Sequence, residues 1–144
     1  MPSTGAASIA GVSALGLGSS TGLGPVHIFN LQNRSPFCRV DCRTKGALLP
    51  DLEIQLLNNT SPVVLTGATV LFVMKTEGLV TKVSAAGALS DPVNGKVRYS
   101  FVGPDVDTVG NFWGQFVITL SSRTYRIPDY VNQSLLIKIV QGLA

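Results

Sequence analysis

Residues 95–120 read GKVRYSFVGPDVDTVGNFWGQFVITL, and their alternation decides the fold. Val97, Tyr99 and Phe101 take every second position, with Lys96, Arg98 and Ser100 between them. Successive side chains of an extended strand point to opposite faces, so this pattern marks a strand with one face on a core and the other toward water. Gly103-Pro104 interrupts the run, and the alternation resumes after Gly110. There Phe112, Gly114, Phe116, Ile118 and Leu120 share the inward face, while Trp113, Gln115, Val117 and Thr119 point away. The single tryptophan is therefore expected outside, available to an interface, with partial cover by a neighbouring loop as the alternative. A bulge near Gly110 or Gly114 would reverse the assignment.

The same period runs through the rest of the chain from Pro25. Strands are expected at 26–31, 37–43, 52–57, 69–75, 79–84, 95–102, 111–120, 123–127 and 134–140, separated by turn signals such as Asn58-Asn59, Thr66-Gly67, Glu77-Gly78 and Asn94-Gly95. No segment of ten or more residues carries a helical stripe. Eight or nine short strands at this spacing predict an all-β protein, an antiparallel β-sandwich. In TVLFVMK (69–75), Val70, Phe72 and Met74 form one face, yet Leu71 and Val73 make the opposite face apolar as well. Leu71, Val73 and Trp113 are thus candidate interface residues.

The chain has 144 residues, of which 45% are hydrophobic and only 13% charged. That is enough length for one core, and too few charges to cover a free surface, so part of the surface is expected to meet protein. Composition divides the chain at about residue 25. Residues 1–24 contain six Gly, five Ser and four Ala and no charge, which cannot offset the entropy of ordering alone. Ile9, Val12, Leu15, Leu17 and Leu23 are scattered through this stretch as possible pegs. It suits an arm lying extended on a neighbouring subunit, with a merely floppy terminus as the alternative. Residues 25–144 would form the sandwich domain.

Other functional classes find little support. A net charge of +3 is too small to argue for nucleic acid, and Arg34, Arg39, Arg43 and Lys45 are expected on a solvated strand face. No membrane span is expected, and the first 24 residues lack the basic start of a signal peptide. Cys38 and Cys42 lie four apart, about 13 Å along a strand, too far for a disulfide with each other. Two buried reduced thiols are the simpler expectation, and a bond or metal shared between subunits is the alternative. His27 is the only histidine, expected to be solvated or capping. Asp105 and Asp107 resemble part of a calcium loop without its terminal glutamate, and turn capping accounts for both. Asn33, Asn58 and Asn132 stand in glycosylation sequons, relevant only to a secreted eukaryotic protein. No catalytic residue, cofactor or metal is expected, and the chain is not expected to be an enzyme.

The order of motifs carries a family resemblance. LTGATVLFVMK (65–75), NGKVRYSF (94–101), DTVGNFWGQFVITL (107–120), RTYRIPD (123–129) and the closing SLLIKI (134–139) together resemble the upper baseplate protein N-terminal domain family of tailed bacteriophages, over about residues 46–140. Against the family pattern, Phe112 stands for a tyrosine, Gln115 for an acid and Trp113 for a polar residue. The resemblance implies an immunoglobulin-like module of the virion, assembled in the host bacterial cytoplasm. Its partners would be other virion proteins, either major capsid subunits, as for a cement or decoration protein, or tail and baseplate subunits. A homo-oligomer is implied too, with a trimer favoured on analogy; nucleic acid and membrane are not implied as partners. The alternative is a receptor- or carbohydrate-binding sandwich in which Trp113 and Tyr125 stack on a sugar.

Overall fold

The computed structural model describes residues 26–32, 37–130 and 133–143. The arm residues Ile9, Val12, Leu15, Leu17 and Leu23 lie outside these. Among the described residues, eleven strands build two facing sheets, six in one and five in the other. The six-stranded sheet contains β2 (Phe37–Thr44), β5 (Thr69–Thr76), β6 (Thr81–Ala86), β9 (Gly110–Leu120), β10 (Arg123–Ile127) and β11 (Gln133–Val140). Its order is β2-β11-β9-β5-β6, and β10 continues along β9 beyond the part paired with β11. The five-stranded sheet contains β1 (Val26–Asn30), β3 (Leu52–Asn58), β4 (Ser61–Pro62), β7 (Ala88–Asp91) and β8 (Lys96–Tyr99), in the order β1-β3-β8-β7 with β4 on β3.

The all-β sandwich is as expected, but it is not wholly antiparallel. β2 runs parallel to β11, and β1 runs parallel to β3. The chain crosses from one sheet to the other between β1 and β2, so each joins an edge beside a strand remote in sequence rather than closing a hairpin. The expected strand at 79–84 begins at Thr81, because Leu79 and Val80 belong to the preceding turn. β4 and β7 are additional.

The inward faces read from the alternation hold. Phe72, Phe116 and Ile118 are completely buried, as is Val97 from the opposite sheet. Phe72 anchors an aromatic cluster across the sandwich, its ring centroid 4.5 Å from Tyr99 in a stacked pair, 5.0 Å from Phe116 and 6.1 Å from Phe101. Gly114 sits beneath this cluster, where an added Cβ would stand 2.7 Å from Ile137 Cδ1 and 3.3 Å from Phe72 Cε1. Only glycine lets β11 and β5 side chains close over the centre of β9. Gly95, expected to close an Asn-Gly turn, follows the 3-10 turn Pro92–Asn94 at φ 71°, with Leu56 O 2.6 Å from where a Cβ would be.

Strand β2 overturns one expectation. Cys38 and Cys42 are exposed, and Val40 is 49% exposed, while Asp41 and Arg43 are buried. Arg43 is thus not on a solvated face. Its guanidinium donates from Nε and Nη2 to the two Asp41 oxygens at 2.8 and 3.3 Å, from Nη1 to Ala47 O at 3.2 Å, and from Nη2 to Pro50 O at 2.8 Å. It also lies 4.0 Å from the centroid of Phe101. A cation so neutralised and hydrogen-bonded, with its guanidinium over an aromatic ring, can occupy the interior. The thiols and Val40 consequently take the outside.

Candidate interaction face

The outer face of the six-stranded sheet carries Trp113. Its cross-strand neighbours are Leu136 on β11 and Lys75 on β5, and it is half-buried on the side away from the core. Beside it, the shared flank of β9 has a gap where β11 has ended and β10 has not begun. Tyr130, held at φ 59° just after Ile127-Pro128-Asp129, closes that gap. Its hydroxyl donates to Gly114 O at 2.7 Å and lies 3.2 Å from Leu135 O, while Gln115 Nε2 donates to Pro128 O at 2.9 Å. Burial pushes the Tyr130 hydroxyl up to about 12, so it stays a donor at neutral pH. The Tyr130 ring meets Trp113 edge to face, centroids 6.2 Å apart at 89°.

The other wall comes from the turn joining β5 and β6. Thr76 N–H donates to Val80 O at 2.9 Å and Leu79 N–H to Thr76 O at 2.8 Å, which holds Leu79 at φ 65°. A leucine in the left-handed region costs about 1–2 kcal/mol that glycine or asparagine would largely avoid. The strained side chain gains no compensating burial, since Leu79 is 68% and Val80 66% exposed.

Val73, Lys75, Leu79, Trp113, Gln115 and Tyr130 enclose a shallow cavity of about 160 Å³. That is below the roughly 300–1,000 Å³ of ordinary small-ligand pockets, so it suits an inserted side chain rather than a cofactor. Among the sequence candidates, the structure brings Val73 and Trp113 together in this wall. Leu71 lies one pleat further along β5 on the same face, 39% exposed. The strand residues of this face include Lys75, Arg126 and Lys138 and no carboxylate, in the register that pairs Arg126 with Val117 and Lys138 with Asn111.

Leu79 and Tyr130 were not legible as site residues. Leu79 looks like the apolar start of a strand, and the role of Tyr130 depends on a gap between strands distant in sequence. Tyr125, by contrast, does not join Trp113. It pairs with inward-facing Ile118 and packs against the core, so the two rings proposed to stack on one sugar lie on opposite faces.

Chemistry elsewhere does not converge. His27 on β1 is half-buried, and burial lowers its pKa; Asp41 pulls the other way, and Arg39 and Arg43 lower it further. The two thiols are on the opposite face of β2, so no Cys-His pair forms. Asp105 accepts from Tyr99 Oη at 2.6 Å and Val102 N–H at 3.0 Å, the turn-capping role expected of it. Asp107 instead accepts from Lys82 Nζ at 2.7 Å and Thr108 Oγ1 at 2.8 Å, and these donors lower its pKa. Among the described residues, no group of three His, Cys, Asp or Glu side chains could hold a metal. No helix of the described residues is long and apolar enough to cross a membrane.

A two-sheet β-sandwich presenting a carboxylate-free outer sheet face, with an apolar patch around Trp113 among Lys75, Arg126 and Lys138, defines the class. Within it, residues 32–129 match the BppU N-terminal domain family, and the chain belongs to that family of phage baseplate domains. The matched span includes most of the motifs that carried the resemblance, and it reaches upstream to include β2. Among solved structures, the N-terminal domain of phage TP901-1 ORF48 is similar, with a TM-score of 0.51 and 13% identity over 81% of this chain and 98% of that one. At that identity the likeness concerns the fold. No curated protein sequence matches the chain.

Proposed function

We propose that the protein is a non-enzymatic structural component of a phage virion, assembled in the host cytoplasm, that docks on the tail baseplate. Family membership carries this reading. The outer face around Trp113 supplies the docking surface, with Leu71, Val73 and Leu79 as its apolar ground, and the uncharged residues 1–24 extend over a neighbouring subunit through Ile9, Val12, Leu15, Leu17 and Leu23. The strain and exposure of Leu79 support a site shaped for a partner rather than for the stability of the isolated domain.

Gold-labelled antibody against the protein should mark the tail tip of intact particles; label spread over the head shell would make it a capsid decoration protein instead. Leu79→Asn separates docking from folding. Asparagine tolerates the left-handed backbone, so the variant should melt no lower than the wild type and yet incorporate less into particles. Full incorporation would remove Leu79 from the docking surface. Deleting residues 2–24 should likewise leave a folded sandwich that fails to incorporate, and normal incorporation would sink the arm.

A further inference from the structure

Strand β2 ends its sheet, and among the described residues no strand pairs its far side. The hydrogen bond from Lys45 N–H to Val140 O settles how its backbone is spent. In a parallel ladder alternate residues turn both backbone groups to the same neighbour. Arg39, Asp41 and Arg43 therefore bond to β11, and Cys38, Val40 and Cys42 direct N–H and C=O to the open edge. The side chains of those same three residues are exposed, and both thiols are free. Such an edge is a template for another strand.

We propose that this edge pairs with β2 of a second copy, antiparallel, about a two-fold axis through Val40. Reversed against itself, Cys38-Arg39-Val40-Asp41-Cys42 is self-complementary. Cys38 faces Cys42 of the second copy, Arg39 faces Asp41, and Val40 faces Val40. The two registers that keep the faces in phase but slip by one pleat set Arg39 against Arg39 or Asp41 against Asp41, which like-charge repulsion disfavours. Inward charges often protect an edge from pairing. Here the buried charges Asp41 and Arg43 already neutralise each other at 2.8 Å within one chain, and Arg39 is exposed, its Nε donating to Ile28 O at 3.4 Å, so pairing leaves no buried charge without a counter-charge.

Residues facing across hydrogen-bonded positions of an antiparallel ladder have Cα atoms about 5.5 Å apart, inside the disulfide range of roughly 4.4–6.8 Å. Two Cys38–Cys42 links are then possible, related by the axis and about 13 Å apart along the edge. That separation excludes a four-thiol metal centre. The pairing is isologous and joins copies in twos, whatever other contact builds a larger ring. It does not depend on where the protein sits in a particle.

The test uses the purified full-length chain and glutathione disulfide as oxidant. A cysteine thiolate displaces one glutathione to form a mixed disulfide, and the facing cysteine of the second copy displaces the other. Two protein thiols are thus oxidised for each glutathione disulfide reduced to two thiols. The wild type should give a linked dimer on non-reducing gels, with peptide mass spectrometry showing Cys38 joined to Cys42. Cys38→Ser and Cys42→Ser should each lose the link alone and recover it when mixed before oxidation, because only the mixed pair sets a thiol against a thiol. Val40→Lys, at an exposed site, should sediment as a folded monomer. Either serine variant linking alone as readily as the mixture, a dimer indifferent to Val40→Lys, or a wild type that neither links nor dimerises would overturn the proposal.

Discussion

Replacing Asp41 by alanine would leave the Arg43 guanidinium buried without its counter-charge, a change that typically costs about 3–5 kcal/mol. Water is poorly placed to substitute, since the Arg43 side chain is only 2% exposed and that of Asp41 9%. The bonds to Ala47 O and Pro50 O and the Phe101 contact survive, which favours the lower half of that range, about 3–4 kcal/mol. With roughly 2.1 cal/mol/K of unfolding entropy per residue over the 112 described residues, the melting temperature should drop by about 13–17 °C. Urea unfolding followed by Trp113 fluorescence and by far-ultraviolet circular dichroism measures the loss directly. Asp41→Ala combined with Arg43→Met should recover part of it, because no uncompensated charge is then left buried. A loss under about 1 kcal/mol, the value of an exposed pair, would refute the account of β2, as would a double variant no more stable than Asp41→Ala.

Gly114→Ala should destabilise the domain by about 1–3 kcal/mol through overpacking against Ile137, read by the same unfolding assay. His27 is held neutral by burial, so its folded pKa lies below its unfolded one. The stability it contributes is present above about pH 6.5 and falls as acid protonates the unfolded chain first; His27→Gln should flatten that part of a stability-against-pH curve. Tyr130 behaves oppositely at high pH. Its contribution is complete below about pH 10 and is lost as pH rises toward 12, and Tyr130→Phe should remove that component while leaving the one from Tyr99, which burial and Asp105 also raise.

The parts legible in the sequence are those where burial alone chooses the face. Residues 95–120 alternate cleanly, so the inward set and the outward Trp113 follow from the period. β2 alternates just as cleanly and misleads, because hydropathy favours Cys38, Val40 and Cys42 inside. What reverses it is a specific ion pair, two carbonyls in the 47–50 loop and the Phe101 ring, none of which a local pattern encodes. β7 escaped notice because Ala-Leu-Ser-Asp has no β-branched residue, and its strand state is imposed by pairing with β8. Leu79 and Val80 look like strand because they are apolar, and the turn hydrogen bonds of Thr76 decide otherwise.

The parallel pairing of β2 with β11 also sets a clock. β2 is complete at Thr44, but its only strand neighbour among the described residues begins at Gln133. At translation rates of about 5–20 residues per second, roughly 5–20 s separate the appearance of the two on the ribosome. During that interval both flanks of β2 are open, and the Arg43 charge awaits the Phe101 ring made some 60 residues later. Because contacts so distant in sequence form late, the β2 edge should be among the last parts of the nascent chain to become protected.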